Sequence, residues 1–416
     1  MLISLIKKEC SMWMKSIIFY AYVIILVVFY VSQMESGMLI SRPEPGAADY
    51  GYTYSDDERI IMDSTLKDLV IDFVSERPFA TYPVGFYKEV TLSEEERDEV
   101  AVCIERLCKM SREEWEKAVD EYEEGYSVEY DDFGRQTVEE KIPWPVVTDP
   151  EITYGEFEEI MEEVAGIIGR GSDYGKERLK EHAEVKMTYE QALSEYEDVL
   201  YKDKVSGAYA RIFCDYIGII LGLLPVFFGT ARVLKDKRSR VKEVVYAKRA
   251  GSAAVVCSRY LAIVIMILLP VLPLSLLPLS KAVYVARAAG AGVDYLAFLK
   301  YAIGWLLPTV LFVTAFSYAV TELTEGFLAV LVGAAVWFAA IFLTPFGLKH
   351  AGWNLIPRFN SLGEYGLFSD ILDQLIINRI LYTVFALLLL GITLMIYELK
   401  RKGVLKNGKV SENLGS

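Results

Sequence analysis

The chain has 416 residues, 53% of them hydrophobic, and a formal net charge of −14, a combination that excludes a single soluble globule. The charge is divided: residues 35–205 hold 45 acids against 19 bases, and the remainder holds 12 acids against 24 bases. That division describes an acidic hydrophilic block inserted into a basic membrane protein, and no nucleic-acid partner is expected of it.

Residues 1–15, MLISLIKKECSMWMK, alternate apolar and basic side chains as an interfacial amphipathic segment on the cytoplasmic face does. No small-x-small cleavage site follows, so a secretory signal is not expected. Residues 16–34 are uncharged and long enough to cross a bilayer, giving a first transmembrane helix with its amino end inside. The block 35–205 is then an extracellular acidic domain, mainly α-helical with some extended segments. Its helices are announced by capping-box patterns at Ser111–Glu114, Thr153–Glu156 and Thr188–Gln191, each followed by apolar residues at helical spacing. A further helix is expected over 94–110 and a strand pair near 126–139. KIPWPVVTDP, residues 141–150, is expected to be extended because each Pro pushes its predecessor out of helix. The two Cys of this block, Cys103 and Cys108, stand too far apart on one helix for a bridge. With two His and no Cys-x-x-Cys pair, metal chemistry is not expected. The acids are read as solvated faces. Gly171-Ser-Asp-Tyr-Gly-Lys-Glu177 fails as a phosphate loop on its spacing and on Glu177, which stands where Ser or Thr must reach magnesium.

A second transmembrane helix is expected over 206–231. Gly218-x-x-x-Gly222 allows close helix contact there. Asp215 lies within this span, where a carboxylate must face protein or water, and pairing with Arg211 at i−4 is the reading adopted. After a cytoplasmic loop at 232–259, residues 260–397 supply the third to sixth helices. The third covers 260–280, with Pro270, Pro273 and Pro278 expected to kink it or end it early. The connection 281–300 is external. The fourth span covers 301–321, the fifth 327–346 after a tight inner turn, and the sixth 380–397. Residues 398–416 form a cytoplasmic tail. The fold class expected is thus an α-helical polytopic membrane protein of six transmembrane helices with an inserted domain. Both termini are inside by the positive-inside rule.

The loop 232–259 carries nine Lys/Arg against Asp236 and Glu243 alone. Val241, Val244 and Val245 fall at i, i+3, i+4, the spacing of one apolar stripe on a short helix. Asp236-Lys237, Glu243 and Arg259-Tyr-Leu-Ala262 follow the order of the coupling loop in type 2 ATP-binding cassette (ABC) exporter permeases, which this stretch resembles. Arg240-Val241 stands where the family has Gly-Thr, and Lys248-Arg249 where it has Thr-Pro. The resemblance covers 1–34 and 206–410. It implies a bacterial-type permease in the plasma membrane that works as a homodimer or pairs with a second permease, with a separate ABC ATPase subunit. It also implies that ATP is bound by that partner, with no cofactor in this chain. The ATPase-coupling residues it points to are Asp236, Arg238, Glu243, Val244, Val245 and Arg259. Two other classes stay open: a membrane sensor with an extracellular ligand-binding domain, and a secondary transporter, for which Asp215 is the one supporting carboxylate.

Overall fold

A computed structural model describes residues 2–34, 40–83, 87–130, 136–140, 143–239, 246, 250–342, 353–406 and 409–410. Its backbone forms two compact units, one of Met1–Pro43 with Leu193–Ser416, the other Glu44–Ala192. The first unit opens with α1 (Leu2–Trp13) and α2 (Ile17–Met34). Helix α2 is apolar on all sides. It buries Phe19, Tyr22, Leu26, Tyr30 and Met34 and leaves Ile24 and Val28 exposed, as a helix does when lipid faces its other side.

The unit Glu44–Ala192 packs α3 (Glu58–Val74), α4 (Glu94–Cys108), α5 (Arg112–Gly125) and α6 (Tyr154–Ile168) around a core of Leu66, Phe73, Ile104, Trp115, Phe157 and Val164. Trp115 is fully buried and meets Phe73 edge-on at 5.6 Å. Among the described residues three antiparallel strand pairs complete the unit. Strands β1 (Tyr52–Tyr54) and β6 (Glu184–Lys186) join Tyr52 to Lys186. Strands β2 (Phe79–Thr81) and β3 (Lys88–Val90) join Phe79 to Val90, and β4 (Tyr126–Tyr130) and β5 (Gln136–Glu140) join Tyr126 to Glu140. The expected caps are present. Glu114 accepts from Ser111 N and Oγ, Thr153 and Glu156 form a reciprocal box, and Thr188 and Gln191 exchange two hydrogen bonds. A fourth box, Ser93 with Glu96, opens α4. Cys103 and Cys108 are both free and buried. The glycine run at 171 is an architectural turn. Gly171 has φ +77°, and a Cβ there would sit 2.4 Å from the Tyr82 backbone, so only glycine fits against β2.

From α7 (Tyr189–Glu197) onward the chain is helical with short breaks. Helix α8 (Ser206–Leu223) gives way at Leu224 to α9 (Pro225–Arg238), where Pro225 occupies the first turn and lacks only a donor that would be unpaired anyway. Then come α10 (Ser252–Leu274), α11 (Leu276–Ala288), α12 (Ala297–Tyr301), a π-turn over Ala302–Leu306, and α13 (Leu307–Thr324). Helices α14 (Leu328–Phe342) and α15 (Tyr365–Arg401) follow, and a short strand pair, Leu405–Lys406 with Lys409–Val410, ends the described part. Helix α13 is central, with α8, α9, α14 and α15 packed on it. Gly229 of α9 makes the tightest of these approaches: a Cβ there would lie 1.9 Å from Ser317 Oγ. Gly222 does the same against Ile356, so the small-residue pair in α8 serves packing within this chain.

Four boundaries differ from expectation. The third span does not end at its prolines: the helix is interrupted at Ser275, where α10 gives way to α11, and helical backbone then runs on to Ala288. The second span continues past 231 to Arg238, and the third begins at Ser252, so both ends of the expected loop 232–259 are helical. Arg232, Asp236 and Arg259 pair with one another across these two helix ends. The last span starts at Tyr365 rather than near 380. Among the described residues five helices are long and apolar enough to cross a membrane, namely Ile17–Met34, Ser206–Arg238, Ser252–Ala288, Ala297–Thr324 and Tyr365–Arg401. The expected fifth span at 327–346 coincides with the 15-residue α14, about 22 Å by helical rise against a hydrocarbon core of about 30 Å. Residues 343–352 lie outside the described part.

Candidate functional site

The helix ends flanking the basic loop hold a buried charge network. Arg232 of α9 donates from Nε and Nη2 to the two carboxylate oxygens of Glu9 on α1, both at 2.7 Å. Its third nitrogen reaches Asp236 Oδ1, one turn on, also at 2.7 Å. Asp236 Oδ2 accepts from Arg259 Nη2 of α10 at 2.5 Å, and Arg259 Nε lies 3.8 Å from Glu9. Two cations face two anions, and the arginine side chains are only 6% exposed. Charges this far from water hold only when so matched, and forked guanidinium–carboxylate geometry is the strongest way to match them.

A second group stands beside the first. Lys400 of α15 donates to Glu325 Oε1 at 2.9 Å and to the Glu322 backbone carbonyl, with the Glu322 carboxylate 3.8 Å away. Lys237 of α9 donates to the Glu325 backbone carbonyl at 3.0 Å. Glu325 is able to serve both because it caps α13 in the left-handed region, φ 51°, at the tight turn the sequence predicted. At the far end of the loop, Arg401 donates to Ala250 O at 3.0 Å, and Ser252 Oγ donates to Glu398. Tyr246 packs edge-on against Tyr397, 5.2 Å between ring centres. The segment between Ser239 and Gly251 is therefore fastened at each end, to α1 and α10 through Arg232 and Asp236 and to α15 through Arg401 and Glu398.

Of the six residues the resemblance points to, the structure brings Asp236 and Arg259 into direct contact. Arg238 stands apart, exposed, with its guanidinium 5.8 Å from the Phe327 ring. Glu243, Val244 and Val245 lie outside the described residues. Sequence reasoning missed Glu9, Glu322, Glu325 and Lys400. A signal for the first was available: Glu9 is the only acid in residues 1–34, and a lone acid in a basic segment calls for a partner.

Further charges are buried elsewhere in the same unit, and here the expected Arg211–Asp215 pair does not form. Arg211 pairs with Asp203 and lies 4.5 Å from the Phe368 ring. Asp215 instead accepts from Arg358 Nε at 2.9 Å, Arg358 Nη2 at 3.0 Å and the Phe359 backbone N–H at 2.6 Å. Helical side chains lean toward the amino end, which carries the Arg211 guanidinium back to Asp203 and away from the residue one turn on. Among the described residues no group of His, Cys, Asp and Glu is set to hold a metal. The network's geometry is that of a mechanical joint, since apart from the Arg232–Asp236 pair within α9 its ion pairs tie one helix to another.

The family described as ABC-2 family transporter protein matches residues 87–397. The match begins within the Glu44–Ala192 unit, so the likeness is not confined to the membrane helices as expected. No curated protein and no solved structure matches the chain. Spanning well over half of the sequence and running through four of the five long apolar helices, the match shows that this chain belongs to the ABC-2 family of transporter proteins, as an α-helical, multi-pass membrane transport subunit of a class served by an ABC ATPase.

Proposed function

We propose that this chain is the permease of an ABC exporter, and that its basic loop receives the motion of a separate ATPase. The observation that carries the reading is the Glu9–Arg232–Asp236–Arg259 network. A loop held at both ends by buried ion pairs passes a push to the helices it joins, where a slack loop would absorb it. The docking element is the stretch around Glu243, with Val244 and Val245 as its apolar contacts and Arg238 at its rim. Six spans, both termini inside, the 35–205 block outside and a dimer of permeases belong to the same reading. Lys/Arg asymmetry supports the orientation, since the loop alone carries nine. ATP is then bound by the partner, and this chain supplies the path and no chemistry on the substrate. Secondary transport loses its main support because Asp215 is bound up in an ion pair with Arg358. The test is copurification: the tagged chain should bring an ABC ATPase out of the membrane, and Val244→Asp with Val245→Asp should abolish it. Undiminished capture by the double variant would make the loop a topogenic signal and nothing more.

A further inference from the structure

Beside the network, α1, α2 and α9 enclose a cavity of about 940 Å3, at the upper end of the roughly 300–1,000 Å3 that ligand pockets occupy. Its wall is apolar, formed in part by Ile25, Phe227 and Phe228, and Phe327 of the turn before α14 stands at its edge. Ile25 and Phe227 are about two-fifths exposed on membrane-spanning helices, so the wall is continuous with surface that lipid covers. At the end near the loop the lining turns basic, with Lys235 and Arg238 both exposed. Arg232 also reaches this cavity, but its charge is matched by Glu9 and Asp236. Lys235 and Arg238 meet no carboxylate among the described residues. Trp13 also lines the cavity and packs on Phe228 with the rings tilted, 4.8 Å between centres, its indole nitrogen enclosed by protein rather than open to the cavity.

We infer that this cavity binds one anionic phospholipid, with an acyl chain along Ile25 and Phe227 and the phosphate region at Lys235 and Arg238. Cations that meet no carboxylate among the described residues, above an apolar groove, suit a ligand that is anionic at one end and hydrocarbon at the other. A second copy of this chain is a poorer occupant, because a two-fold contact over this face would set basic rim against basic rim. The leaflet concerned is the inner one, and that clause alone rests on the proposed orientation. The anionic lipid of that leaflet would wedge α1 against α9 within one turn of Arg232, so lipid composition would tune how firmly the loop is held.

The full-length chain, reconstituted in bilayers, is to be photolabelled with phosphatidylglycerol or phosphatidylcholine carrying a photoreactive acyl chain, and adducts mapped by mass spectrometry. Phosphatidylglycerol should label α2 and α9 around Ile25 and Phe227 in clear excess over phosphatidylcholine. Lys235→Gln with Arg238→Gln should reduce the apparent affinity for phosphatidylglycerol roughly thirtyfold, the effect of two basic residues at a charged headgroup, while phosphatidylcholine labelling stays as it was and reports an intact fold. Equal labelling by both lipids, an unchanged affinity in the double variant, or cross-links between two copies across this face would overturn the assignment. Loss of ATPase copurification with phosphatidylglycerol labelling intact would sink the coupling reading and leave this site standing.

Discussion

Asp236 accepts from two guanidiniums, Arg232 on its own helix and Arg259 on the next, and so stands at the middle of the network. Removing one member of a buried charge set leaves the others unpaired away from water, which commonly costs about 3–5 kcal/mol. Asp236→Ala should therefore destabilise the solubilised chain by that order, read as a lowered midpoint in a thermal size-exclusion assay. A loss below about 1 kcal/mol, the level of an exposed pair, would mean that the charges are solvated and the joint does not exist. The sequence made Asp236 and Arg259 legible through their order along the loop, but their contact could not be read from it. The same limit explains Asp215: a local partner one turn away was visible, whereas Arg358 is 143 residues off and only the folded chain brings it near.

At the scale of elements, what is local was legible and what is tertiary was not. Capping boxes were found because donor and acceptor lie three residues apart. The true start of α15 was hidden because the polar residues Ser369, Asp370, Asp373, Gln374 and Asn378 break the apolar run. Yet Phe368, Ile371 and Leu375 are buried at helical spacing and would have extended the helix back to Tyr365. Within the Glu44–Ala192 unit, His182 fastens a short 3-10 turn to α3. Its Nδ1 lies 2.7 Å from Asp68 Oδ2, its Nε2 3.2 Å from the Asp173 carbonyl, and its ring stacks on Tyr174. Burial pushes the imidazole pKa down, but the Asp68 hydrogen bond and the Asp173 carbonyl pull it up by more, and it ends above its ordinary value. Both partners are acceptors, which suits the doubly protonated ring. A group whose folded pKa is raised gives its full stabilisation below its unfolded value, about 6.5, and loses it as pH rises through the folded value. The unit expressed as 44–192 should melt at lower temperature as pH climbs from 6 toward 8, and Asp68→Asn should flatten that slope. A slope unchanged in Asp68→Asn would show that the pair does not set it.

For the whole molecule, the uneven charge was the most legible sign of organisation, because a block as rich in acids as 35–205 cannot sit in lipid, and the compact unit Glu44–Ala192 falls within it. Topology is the expectation to check there. Single cysteines at Glu177 and Ser239, both exposed, should react with an impermeant thiol reagent from opposite faces of the membrane, in a background lacking Cys10 and Cys257. Labelling of both from one side would end the six-span arrangement. The central claim, that the basic loop meets an ATPase, is tested most directly by placing a photoreactive amino acid at position 243 and irradiating intact membranes, with position 177 as the control. The account predicts an adduct between this chain and an ABC ATPase from position 243 and none from position 177. Adducts from 243 that contain only lipid or a second copy of this chain would contradict it.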